Sequence, residues 1–206
     1  MKYNKQEDST VEEEQESTSD EDAILTMLQG KQNRNIPIVG EIDEEKLTEI
    51  MMYINLLAGD IFEEPPEEVK PINLYVSTYG GSADDMFAIY DMVCKAKERV
   101  PVRTIAMGKV MSAGLLVMAS GTRGERYVGR NCRLMLHNVI SGGTGELPIL
   151  QNEIKEIKRM QQAYSNALLE ETNLTKSQLK RLFNRKVNVY LNAEEAVKYG
   201  FADKIL

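Results

Sequence analysis

Histidine occurs once in this chain and cysteine twice. A zinc site built from those side chains has no ligand set here, so no metal is expected. Cys94 and Cys132 form no CxxC and read as two buried, reduced thiols of a cytoplasmic protein. No apolar run approaches the roughly 18–20 residues of a membrane-spanning helix. The acidic start lacks the apolar stretch of a secretory signal. A basic excess is missing too, which argues against a nucleic-acid partner. No GxGxxG occurs, and no Lys-Ser or Lys-Thr follows a glycine loop, so neither a phosphate loop nor a nucleotide cofactor is expected.

What is present suffices for one well-packed domain: 206 residues, 42% of them hydrophobic. The charge is unevenly spread. Residues 1–22 hold two lysines and nine acids, which account for the whole net charge of −7. Such a segment buries too little apolar surface to offset its ordering entropy. It reads as a disordered acidic tail, and 23–206 as a single domain.

From Ile36 onward the apolar pattern alternates between strand and helix. Strands are expected at 36–39, 71–77, 102–107, 126–128 and 134–136. Helices are expected at 44–58, 83–99, 111–120, 148–172 and 193–199. On the long helix, Ile154, Ile157, Tyr164, Ala167 and Leu168 mark the inner side. Thr175 with Gln178 has the spacing of a capping box, and Asn192 caps the last helix, which Gly200 ends. Strand and helix in alternation predict an α/β domain with parallel pairing.

Three places could carry chemistry. Gly80-Gly81-Ser82 joins a strand to a helix, where glycines admit close backbone approach and the helix presents free amides; a plain packing turn looks the same. Ser112 stands at a strand-to-helix junction, either as a helix N-cap or as an outward nucleophile. It matches GxSxG only on the right, through Gly114, because Val110 replaces the left glycine. His137 follows the apolar strand Leu134-Met135-Leu136. If a serine is activated in this chain, His137 is the one imidazole available to do it.

Taken in order, the glycine turn, Gly108-Lys-Val-Met-Ser112-Ala-Gly, Arg133-Leu-Met-Leu-His137 and Leu191-Asn-Ala-Glu-Glu-Ala-Val-Lys-Tyr-Gly200 resemble the Clp peptidase family over residues 24–206. The resemblance implies a crotonase-like α/β fold, a ββα superhelix with a protruding helical handle at about 141–172. It implies a serine endopeptidase of unfolded proteins, working in a chamber of two stacked heptameric rings fed by an AAA+ unfoldase. By position Ser112 is the nucleophile and His137 the base, with Gly81 and Ala113 as main-chain oxyanion donors. Ser82, Gly142 and Gly143 fall where the family binds substrate.

Departures from the family pattern are specific. The turn reads Ser77-Thr-Tyr-Gly-Gly rather than Asn-Ser-Pro-Gly-Gly, and Ala113 stands where methionine is usual. Counting back from Tyr190, the family's third catalytic residue, an aspartate, falls on Asn188. An amide holds an imidazole but gives imidazolium no charge to lean on, and Asp-to-Asn in a serine triad costs ~10⁴ in turnover. Reduced activity is therefore expected. A second expectation is a weakly active or regulatory subunit in a mixed ring with active Clp subunits. A third is an acyl-CoA enzyme of the crotonase type, which leaves the Ser–His pair and the C-terminal motif unexplained.

Overall fold

The computed structural model describes residues 33–59 and 70–206. The expected acidic tail, 1–22, and the first ten residues of the expected domain lie outside them. Residues 34–206 form one compact unit.

Seven strands and six helices follow in order among the described residues: β1 Asn35–Ile42, α1 Glu44–Ala58, β2 Ile72–Gly81, α2 Ala83–Lys97, β3 Val102–Met111 and α3 Ala113–Ala119. Then come β4 Arg126–Val128, β5 Arg133–Leu136, α4 Leu147–Glu171, α5 Lys176–Phe183, β6 Val189–Leu191, α6 Ala193–Tyr199 and β7 Lys204–Ile205. The main sheet runs β1-β2-β3-β4-β7, all parallel. Along β2 the side chains of Ile72, Leu74, Val76 and Thr78 are buried while Tyr75 and Tyr79 are exposed, the period-two alternation of a strand. The buried face packs against α1 through Ile50, Ile54 and Leu57, and against α2 through Met86, Ile89 and Val93. α3 is buried on every side.

β3 changes neighbour half-way. Thr104–Ala106 pair with β4, and Lys109–Met111 pair with β5. Between them Gly108 has φ 65°, a conformation that costs glycine nothing. Hence β3 continues past the glycine that reads in sequence as its end, and α3 starts at Ala113 rather than 111. Likewise β2 runs through both glycines of the expected turn, because they pair with Glu41 and Ile42 of β1. The two-to-three-residue strands β6 and β7 are too short to leave a periodic signal.

One buried charge organises the back of the domain. The Arg126 guanidinium is 1% exposed, pairs with Asp203 at 2.6 Å and donates to the carbonyls of Ala119 and Glu171. It ties the ends of α3 and α4 to the C-terminal segment. Both cysteines are free thiols. Burial pushes Cys132 up to about 11, so it stays protonated at neutral pH. Among the described residues no helix is long and apolar enough to cross a membrane.

Candidate active site

Ser112 lies between the end of β3 and the start of α3, with φ 53° and ψ −123°. Among described non-glycine residues only Ser112 and Lys186 have positive φ. Such a backbone costs of order 1–3 kcal/mol and persists only where neighbours over-determine it. Here the Ser112 N–H donates to Met135 O at 2.8 Å, and its carbonyl accepts from Leu115 N–H at 3.0 Å and from the Tyr164 hydroxyl at 3.2 Å. Burial pushes the Tyr164 phenol well up, so it remains a donor.

The side chain of Ser112 makes no N-cap hydrogen bond. Its Oγ lies 2.7 Å from His137 Nε2. The partner switch of β3 explains the meeting. Met111, the last residue of β3, pairs with Met135, one residue before the end of β5, so the residues that follow each strand emerge close together.

The glycines beneath Ser112 are required by contact. A Cβ on Gly80 (φ 105°) would lie 2.6 Å from Ser112 Cβ, and one on Gly81 would run into the Ile42 carbonyl. A Cβ on Gly114 would sit 2.5 Å from Thr78 Cγ2. Thr78 in turn accepts from Gly80 N–H at 2.9 Å and donates to Gly40 O at 2.5 Å. The left glycine of GxSxG is dispensable here because Gly80, on the neighbouring strand, provides the room.

A cleft of about 720 Å³ opens over the pair, lined among others by Gly81, Ser82, Ala113, Ser112, His137 and Gly142. Ala113 begins α3, where a main-chain N–H has no intrahelical acceptor. Ser82 is the N-cap of α2, its Oγ accepting from Asp85 N–H at 3.2 Å. Gly143 is not among the lining residues; it lies beside the Glu153 carboxylate.

Asn188 falls one step beyond the last β5–β6 pair, Leu136↔Val189, which sets it opposite His137. Its side chain is exposed and makes no hydrogen bond among the described residues. The other imidazole nitrogen, Nδ1, instead meets the main-chain oxygen of Asn138 at 2.5 Å. Asn138 Nδ2 donates to Phe183 O at 3.0 Å, and Val139 N–H donates to Gln161 Oε1 at 2.8 Å. Sequence reasoning missed Thr78, Asn138 and Gln161, since nothing in their local pattern separates them from ordinary polar residues.

The model of the Clp protease family matches residues 17–206. The chain belongs to the Clp protease family. It is 31% identical over 196 residues, 95% of this chain and 92% of the relative, to the ATP-dependent Clp protease proteolytic subunit 2 of Treponema denticola. Membership of the Clp protease family makes this a serine-peptidase scaffold of α/β type with a mostly parallel sheet. The segment 141–172, expected as a handle, contains α4, whose first half stands clear of the core. Its buried residues, Tyr164, Ala167, Leu168 and Glu171, all lie near its C-terminus. Ile154, expected on the inner side, is 49% exposed, because the core ends before the helix reaches it.

Proposed function

We propose that this chain is an endopeptidase in which Ser112 attacks the scissile carbonyl and His137 carries the proton. The observation that supports it most is the 2.7 Å approach of Ser112 Oγ to His137 Nε2 over an open cleft. Nε2 takes the hydroxyl proton as Oγ bonds to the carbonyl carbon. The oxyanion is met by the N–H groups of Gly81 and Ala113, fixed dipoles that cost no reorganisation. His137 then protonates the leaving amine, and a water molecule activated by the same base hydrolyses the acyl-enzyme. Ser82 and Gly142 belong to the walls that receive the substrate chain.

The family setting supports the remaining parts of the reading. Two heptameric rings of this chain, alone or mixed with other Clp subunits, stack to enclose the sites in the cytoplasm. An AAA+ unfoldase threads unfolded protein into the chamber, and neither metal nor cofactor takes part. Asn188 is the third member by position. A neutral amide there favours a second reading, a weakly active or regulatory subunit within a mixed ring.

A fluorophosphonate applied to the assembled protein tests the proposal. Covalent adduct on Ser112 and turnover of unfolded protein are expected. An assembled ring with no adduct at Ser112 would overturn the peptidase reading. Adduct without turnover of short peptides would favour the regulatory one.

A further inference from the structure

We propose that the peptide unit joining Asn138 to Val139 orients the catalytic base, with Gln161 and Asn138 as its positioning residues. This rests on the assignment of Ser112 and His137 made above.

The partner of His137 Nδ1 at 2.5 Å is a main-chain carbonyl, that of Asn138, and a carbonyl only accepts. Nδ1 therefore carries the ring proton, and Nε2 presents its lone pair to Ser112 Oγ, 2.7 Å away. That tautomer is the one a general base requires. A side-chain amide offers a donor as readily as an acceptor, whereas a carbonyl excludes the wrong tautomer.

A carbonyl serves this purpose only if its plane is held. The Asn138 oxygen and the Val139 N–H belong to one planar peptide unit. Val139 N–H donates to Gln161 Oε1 at 2.8 Å, so the plane is pinned at both ends, by α4 on one side and by the imidazole on the other. The Gln161 amide is itself set. Its Nε2 donates to Ser165 Oγ at 3.3 Å, and that hydroxyl donates to the Gln161 main-chain oxygen at 2.7 Å, which leaves Oε1 facing Val139. The Asn138 side chain adds a second anchor, Nδ2 to Phe183 O at 3.0 Å at the end of α5. Two helices that carry no catalytic group thus fix the imidazole.

His137 is the sole histidine, so ¹⁵N-histidine labelling of the full assembled protein reports one ring. The wild type is expected to show the Nδ1–H tautomer alone. Gln161→Leu removes the acceptor and is expected to mix the tautomers and slow fluorophosphonate labelling of Ser112 roughly tenfold. Gln161→Glu keeps an acceptor oxygen and is expected to restore both. Asn138→Ala tests the second anchor and is expected to shift the tautomer in the same sense as Gln161→Leu. Circular dichroism and sedimentation confirm that each variant folds and assembles. A single Nδ1–H tautomer with wild-type labelling in both Gln161→Leu and Asn138→Ala would overturn the inference. A correct tautomer that depends on Gln161, with no labelling of wild-type Ser112, would support it while overturning the peptidase reading.

Discussion

Gly80 lies directly beneath Ser112: a methyl group at residue 80 would approach Ser112 Cβ to 2.6 Å and Ala113 N to 3.1 Å. The backbone there also has φ 105°, which an L side chain resists. Gly80→Ala is therefore expected to displace the nucleophile rather than merely loosen the domain. Overpacking of this kind costs about 1–3 kcal/mol. Fluorophosphonate labelling of Ser112 should fall by at least roughly tenfold while the variant remains folded. Wild-type labelling in a folded Gly80→Ala protein would show that the elbow tolerates a side chain.

The Arg126–Asp203 pair makes a pH prediction. Burial alone would raise the Asp203 carboxyl, but hydrogen bonds and charge from Arg126, with the Arg126 and Gly124 N–H groups, outweigh it and hold it below its usual range. A carboxyl with a depressed folded pKa contributes stability above its unfolded value of about 3.9, lost as pH falls through the folded value. Thermal unfolding followed from pH 6 to pH 2 should show wild-type stability dropping below about pH 4. Asp203→Asn leaves the buried guanidinium without its counter-charge, and removing one partner of a buried pair costs roughly 3–5 kcal/mol. Its melting temperature should be lower at pH 7, and its gap to the wild type should narrow in acid. A gap independent of pH would mean that the carboxylate charge is not what stabilises Arg126.

Much of this architecture is legible in the sequence. The apolar periodicities give five of the seven described strands and the helices α1, α2, α4 and α6 close to their ends. Thr175 forms the capping box its spacing announces, and Asn192 caps the last helix as expected, with Glu195 completing a second box. Ser112 and His137 are each ordinary alone and become specific through their order in the chain. What stays hidden has physical causes. The glycine pair inside β2 and Gly108 inside β3 look like turns, because a local pattern does not show a neighbouring strand that keeps the ladder going. The exposed Ile154 reads as core, because periodicity marks an apolar stripe without saying what covers it. The bond from Nδ1 to Asn138 O depends on the orientation of a peptide plane, and no residue type encodes that.

Asn188 supplies the next prediction. The β5–β6 register sets it opposite His137, where it offers a neutral amide. A carboxylate at that point favours the imidazolium that forms as Ser112 attacks, whether it acts through space or accepts the Nδ1–H hydrogen bond in place of the Asn138 carbonyl. Asn188→Asp is expected to raise kcat for a short peptide by roughly tenfold or more, with smaller change in KM, since the charge is needed in the transition state rather than in binding. Unchanged or lower kcat in the assembled variant would remove Asn188 from the third position. It would also strengthen the case for the main-chain carbonyl as the sufficient orienting group.

The stripe Leu147, Leu150, Ile154 and Ile157 recurs at helical spacing on the half of α4 that stands clear of the core. Leu147 and Ile154 are exposed, at 68% and 49%, so the chain itself supplies no cover for them. An apolar stripe on a projecting helix is stabilised by a partner, and in the proposed double ring that partner is the handle of a facing copy. Ile154→Glu places a charge in the middle of the stripe and leaves Tyr164, Ala167 and Leu168, which anchor the helix to its own domain, untouched. Sedimentation velocity should then show the double ring giving way to single rings or smaller species, with helical content unchanged by circular dichroism. Because Gln161 lies one to two turns further along the same helix, loss of the facing copy should also slow Ser112 labelling. An Ile154→Glu protein that sediments as the wild type would mean that this stripe does not hold the rings together.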